Sequence, residues 1–280
     1  MGQCVSEVIP SYKEKQQPFD QYSTKHSIKQ NQQMQDPTNK MHLFTDKYKT
    51  FDELNSSMRN VGIESIQCVI SFDFSGSNGD LHSTQTVNPY MRVIQILQPV
   101  VEKFDDDGQI NAYRFGCSES SDKNIVPLYG NSDVYKGFDA LMESYKAAAN
   151  SVEQSGPTRF THTIQKCIEL EQSFGGKQLI VCVLITDGGI SNEKLDKYWI
   201  EEASKYPISF VGIGVGPGPF GILEKFDDKL KGKFDNFQFV NFSEIEEVAK
   251  KHERPDLVLA CSVFNELPEQ FQEMKRLGYL

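Results

Sequence analysis

No stretch of this 280-residue sequence approaches the roughly 18 consecutive apolar residues of a membrane-spanning helix, so no transmembrane span is expected. Basic residues are in the minority, 29 Lys and Arg against 39 Asp and Glu. The formal charge of −10 argues against a nucleic-acid partner, whose phosphates need a basic face. Cysteine is sparse: the six, at 4, 68, 117, 167, 182 and 261, include no C-x-x-C pair, which excludes a zinc ribbon, a RING or a dithiol redox motif. Residues 1–20 lack the apolar core of a secretory signal, so reduced thiols in the cytoplasm are the simplest expectation. Hydrophobic residues reach only 38%, somewhat low for a chain packed throughout, and part of it is expected to lie outside any core.

That part is the beginning. Residues 7–40 are rich in Gln, Ser, Lys and Asn, carry Pro10, Pro18 and Pro37, and hold few aliphatic side chains, so residues 1–40 are expected to be a disordered tether. The opening Met1-Gly2-Gln3-Cys4-Val5-Ser6 fits M-G-x-x-x-[ST], which marks Gly2 for myristoylation once Met1 is removed. One myristoyl chain binds bilayers only marginally, and Cys4 offers a palmitoylation site as the second anchor. The expected location is therefore cytoplasmic, at membranes through the N-terminus, with room for a nuclear pool.

From about residue 45 the pattern becomes that of a folded domain reaching to 280. Tyr48, Phe51, Leu54 and Met58 recur at helical spacing, with Gly62 as a stop. Strands are expected at 66–72, 110–115, 179–185, 208–215 and 237–240. Helices are expected after Pro89 (with Phe104 on its apolar face), at 134–149, 163–174 and 193–205, and as one or two in 243–277, where Pro255 and Pro268 mark starts or breaks. Cys68 and Cys182 read as small core residues. Strands alternating with helices of this length indicate an α/β, Rossmann-like, doubly wound and mostly parallel sheet with helices on both faces.

Two carboxylates follow the two most apolar strands: Asp73 after 66–72 and Asp187 after 179–186. In a parallel sheet the carboxyl ends of the strands share one edge, and ligands bind in the crevice outside it. Hydroxyls surround the first in Asp73-Phe74-Ser75-Gly76-Ser77, a D-x-S-x-S loop. Oxygen ligands of this kind suit a hard divalent cation, Mg²⁺ in particular.

Asp73-x-Ser75-x-Ser77 and Thr186-Asp187-Gly188 resemble the metal-ion-dependent adhesion site of von Willebrand factor A domains. Gly156-Pro157-Thr158-Arg159-Phe160 resembles the matching segment of copines and of the plant RING ubiquitin ligases that carry a copine-like domain. Asn88-Pro89-Tyr90, Phe226-Asp227-Asp228 and Glu266-Leu267-Pro268 extend the likeness, which runs in the family's order from about 45 to 278. The resemblance implies a metal site of Asp73, Ser75, Ser77, Thr158 and Asp187, with Thr161 and Thr163 as less fitting alternatives to Thr158. It implies Mg²⁺ as the ion, with Mn²⁺ or Ca²⁺ as substitutes, and a protein partner that supplies an Asp or Glu carboxylate. The hydroxyls would bind the ion directly and the aspartates often through water, leaving its charge open to that carboxylate. Copines proper carry C2 domains ahead of this domain and the plant ligases a RING behind it. Residues 1–40 are too few for the former and no RING cysteines follow, so neither property is expected here.

The functional expectation is a Mg²⁺-dependent protein-binding module, tethered to membranes as an adaptor or signalling scaffold. The alternatives are an adaptor of ubiquitin ligation and a nucleotide-binding enzyme. The last rests on Gly216-x-Gly218-x-x-Gly221, but Pro217 and Pro219 remove backbone donors that a pyrophosphate would use. No His or Cys base is paired with the serines, so catalysis is not expected. His82 and His162 read as surface histidines, and 105–107 as a turn ending a helix rather than a calcium loop.

Overall fold

The computed structural model describes residues 48–280. The expected tether, with Gly2 and Cys4, lies outside the described residues.

The chain enters through α1 (Phe51–Asn60), capped by Thr50, whose hydroxyl accepts from the Glu53 amide. Gly62, at φ +99°, turns the backbone into β1 (Gln67–Asp73). Every residue of β1 is buried, as is every residue of its parallel neighbour β5 (Ile180–Thr186). Burial on both faces is what uninterrupted aliphatic runs encode. On the far side of β1 lies β2 (Gln109–Phe115), and beyond β5 come β6 (Ile208–Gly214) and β7 (Phe237–Asn241), all parallel. Two short strands, β3 (Val126–Pro127) and β4 (Val134–Lys136), pair antiparallel with β2, so the order is β3-β2-β1-β5-β6-β7 with β4 also on β2. This is the expected doubly wound, mostly parallel sheet.

Alternate strand residues feed two cores. Cys68, Ile70 and Phe72 of β1 join Val181, Val183 and Ile185 of β5 on one face. There they meet α1, α2 (Pro89–Val101), α3 (Gly137–Ser151) and the helices α7 (Phe242–Ala249), α8 (Pro255–Phe264) and α9 (Leu267–Arg276). Val69, Ile180, Cys182 and Leu184 face the other way, onto α4 (Thr161–Ser173), α5 (Glu193–Ala203) and α6 (Gly221–Lys229). Among the described residues no helix is long and apolar enough to cross a membrane.

Several expectations are corrected. The segment 134–149 is not helical throughout: Val134–Lys136 extend as β4, and the helix starts only at Gly137, whose φ of +73° breaks the run. Helix α2 ends at Val101, so Phe104 is a buried residue of the following turn rather than part of the helix. The tail forms three helices where one or two were expected, with Pro255 and Pro268 in the first turns of the last two. A 3₁₀ turn over Gly76–His82 and helix α6 had no sequence counterpart.

Candidate metal centre

Chain connections run in opposite directions from β1: through α2 to β2 on one side, while β5 and its successors lie on the other. This switch point opens a crevice at the carboxyl ends of β1 and β5. Asp73 and Asp187, 114 positions apart, end up there together.

Asp73, the last residue of β1, is fully buried. Its Oδ1 accepts from the Ser75 amide at 2.8 Å and its Oδ2 from Thr186 Oγ1 at 2.5 Å. Thr158 Oγ1 donates to Ser75 Oγ at 2.9 Å, Ser75 Oγ and Ser77 Oγ are 3.1 Å apart, and Ser77 Oγ donates to Asp187 Oδ1 at 3.0 Å. One hydrogen-bonded chain therefore joins Asp73, Ser75, Ser77, Thr158 and Asp187 across three loops. The two competing threonines face elsewhere. Thr163 Oγ1 pairs with Ser71 Oγ at 2.9 Å, and Thr161 Oγ1 donates to Asp196 at 2.6 Å.

Backbone contacts hold these loops in place. The Ser191 amide and hydroxyl both donate to the Thr158 carbonyl, at 3.0 and 2.8 Å, tying the Thr158 loop to the Asp187 loop. Gly116, at the end of β2 with φ +71°, has no room for a side chain: a Cβ there would sit 2.9 Å from the Ser75 nitrogen and 3.2 Å from Asp73 Oδ1. Gly188 is constrained the same way, since its Cβ would lie 2.3 Å from the Pro219 oxygen. The Gly216–Gly221 stretch thus packs against the site, and the Gly216 amide is already given to Ser243 Oγ at 2.8 Å. That is not a free phosphate cradle.

Electrostatically the site gathers two carboxyl groups in a buried setting. Burial, opposed by hydrogen bonds from Thr186 and Ser75 and aided by the charge of Asp187, pushes the Asp73 carboxyl up to about 7. Burial also raises Asp187, against the hydrogen bond from Ser77. The donors are all oxygen, two carboxylates and three hydroxyls, and among the described residues no three His, Cys, Asp or Glu side chains cluster as a metal site. The set fits a hard divalent ion that compensates buried negative charge.

His82 is not a surface residue. It is 2% exposed and stacks on Phe74 and Tyr90 at centroid distances of 4.1 and 4.2 Å. Its Nε2 lies 2.8 Å from the Asp73 carbonyl oxygen, so Nε2 carries the proton, and its Nδ1 accepts from Tyr145 at 2.9 Å. Burial pushes this imidazole down to about 4, which keeps it neutral. His162 is half-buried, its Nε2 3.0 Å from the Asp122 carbonyl. Sequence reasoning also missed Asn78, Tyr90 and Asp196, which brace the site from behind. The available signals were the place of Asn78, directly after Ser77, and of Tyr90, within the Asn88-Pro89-Tyr90 segment of the family likeness.

Residues 80–280 match the copine family profile, well over half of the chain. Copine family protein 2 of Caenorhabditis elegans is 33% identical over 249 residues, covering 83% of this chain and 3% of that protein. The E3 ubiquitin-protein ligase RGLG4 of Arabidopsis thaliana is 30% identical over 263 residues, covering 84% of this chain and 65% of that protein. Neither relative is matched over two thirds of its own length. Among solved structures, the manganese-loaded Plasmodium vivax TRAP protein is similar at TM-score 0.46 and 14% identity, over 65% of this chain and 70% of that one. By the profile match over most of its length, this chain belongs to the copine family.

Proposed function

We propose that this chain is a divalent-cation-dependent protein-binding module, with Mg²⁺ as the ion, that recruits a partner through an Asp or Glu carboxylate. One observation carries the reading: three hydroxyls and two carboxylates from three loops meet at the sheet's switch point, joined by contacts of 2.8–3.1 Å. Ser75, Ser77 and Thr158 would hold the ion, with Asp73 and Asp187 beside them. A bound divalent ion supplies a positive centre that an incoming carboxylate can complete. The residues of this chain do the rest. Neutral hydroxyls leave that charge uncompensated, Thr186 and the Ser75 amide fix Asp73, and Ser191 fixes the Thr158 loop. The proton acceptors beside Ser75 and Ser77 are Asp73 and Asp187, carboxylates already engaged by Thr186 and by Ser77, which favours binding over catalysis.

The immobilised chain is expected to retain partner proteins in millimolar Mg²⁺ and release them in EDTA. Ser77→Ala, at an exposed position that leaves the core intact, is expected to lose most of that capture, and Asp73→Ala all of it. Capture that is indifferent to EDTA and to both substitutions contradicts the proposal.

A second reading is favoured by the likeness to the E3 ubiquitin-protein ligase RGLG4: an adaptor within ubiquitin ligation, with ligase activity supplied in trans. Recovery of ubiquitin-conjugating components from the Mg²⁺-dependent fraction supports it, and their consistent absence removes it. The proposed place of action is the cytoplasmic face of membranes, through acylation at Gly2 and Cys4. The intact mass of natively expressed protein tests this: an added myristoyl group is expected, and an unmodified mass contradicts the tether.

A further inference from the structure

We infer that Asn78 is a positioning residue for the Ser75 hydroxyl, holding it in the rotamer that keeps a lone pair available at the centre of the site. The inference rests on the metal-site reading above. Asn78 is 2% exposed, and its Nδ2 lies 3.2 Å from both the Ser75 carbonyl oxygen and Ser75 Oγ. The fully buried Tyr90 hydroxyl donates to Asn78 Oδ1. A carbonyl can only accept, so the amide end facing Ser75 must be the nitrogen, and the orientation of Asn78 follows.

The remaining protons can then be assigned. Ser77 spends its single proton on the Asp187 carboxylate, and Thr158 donates to Ser75 Oγ. The proton of Ser75 is therefore left for Ser77, 3.1 Å away, or for the Asp73 carboxylate that its side chain also meets, and not for Asn78 or Thr158, which both donate. A hydroxyl oxygen has two lone pairs, and in Ser75 they face Asn78 and Thr158. Thr158 is itself a proposed ligand, so its donation is the one that a cation replaces, and the donation from Asn78 remains to set the rotamer. Asn78 cannot swing aside. Tyr90 holds its other end and is in turn stacked on His82, which donates to the Asp73 carbonyl.

The test is a Mn²⁺ titration of the full chain, read from free Mn²⁺ by electron paramagnetic resonance. Wild type, Asn78→Ala, Ser75→Ala and the double variant are compared. Asn78→Ala is expected to weaken Mn²⁺ binding about 10- to 100-fold, as loss of a group supporting a ligand does. In the Ser75→Ala background the same change is expected to matter about twofold or less, because the effect travels through the Ser75 oxygen. A purely structural role predicts equal losses in both backgrounds, and that result, or unchanged affinity in Asn78→Ala, overturns the inference. Tyr90→Phe keeps the ring and removes only the hydroxyl that holds Asn78. It is expected to act in the same direction with a smaller loss, again abolished in Ser75→Ala, and it carries the test if Asn78→Ala fails to fold. If wild type binds Mn²⁺ and the Asn78 and Tyr90 variants match it, the positioning role alone falls. If wild type takes up no Mn²⁺, both readings fall.

Discussion

Burial holds the Asp73 carboxyl at about 7, against an ordinary value near 3.8, although three hydrogen bonds stabilise its charge. With the folded value raised, the fold without metal takes up a proton between those limits, so this group favours that fold at low pH and the contribution is lost as pH rises through about 7. Ion uptake requires the carboxylate and must expel the proton. Mg²⁺ affinity is therefore expected to be level above about pH 7 and to fall by up to about tenfold per unit below it, as calorimetric titration would show; a flat profile down to about pH 5 contradicts this. His82 works with the opposite sign. Its folded value is lowered to about 4, so its contribution is fully present above about 6.5 and is lost as pH falls toward 4. An NMR titration is expected to show the His82 ring neutral down to about pH 4. The same scale gives a steric prediction. Gly116→Ala would force a Cβ against the Ser75 amide from a left-handed backbone, destabilising the fold by roughly 1–3 kcal/mol in urea unfolding and weakening Mn²⁺ binding. Asp73, Ser75, Ser77 and Asp187 could be put forward from local motifs, and Thr158 from the family likeness, and the fold brings the five together. His82 could not be placed, since its burial depends on Phe74, Tyr90 and Tyr145 closing around it.

At the scale of elements, strands were easier to read than the pieces between them. The aliphatic runs of β1, β5 and β6 carry their burial in their composition, and their expected limits lie within a residue or two of those observed. β3 and β4 are two and three residues long and exist only because the edge of β2 offers partners, which no local pattern announces. Helix α6 follows a Gly-Pro loop that reads as irregular, and it buries only Leu223 and Phe226, with Ile222 partly covered. Helix α4 shows how one element repairs another. The residue before it, Phe160, makes no side-chain cap, and Asp196 of α5 supplies one from outside, accepting from the Phe160 amide at 3.1 Å, the Thr161 amide at 2.7 Å and Thr161 Oγ1 at 2.6 Å. Asp196 looks in sequence like an ordinary acidic residue of a first helical turn. Asp196→Ala is expected to cost about 1–3 kcal/mol in urea unfolding, by leaving buried donors unpaired, and to lower Mn²⁺ affinity by loosening the adjoining Thr158 loop. Unchanged stability would show that those donors find other partners.

For the whole molecule, the alternation of strands and helices was enough to anticipate the doubly wound sheet, because few topologies satisfy it. It also placed Asp73 and Asp187 at one edge. Strand order was not legible, since β1 and β5 are separated by more than a hundred residues and become neighbours only through the sheet. Their adjacency turns five separated side chains into one cluster. The most direct measurement is a crystal of the chain soaked in millimolar Mn²⁺, with anomalous scattering collected at the manganese edge. A single strong peak in contact with Ser75, Ser77 and Thr158, lost in Ser75→Ala crystals, is the predicted result. No peak there, or a peak held by other residues, would contradict the account.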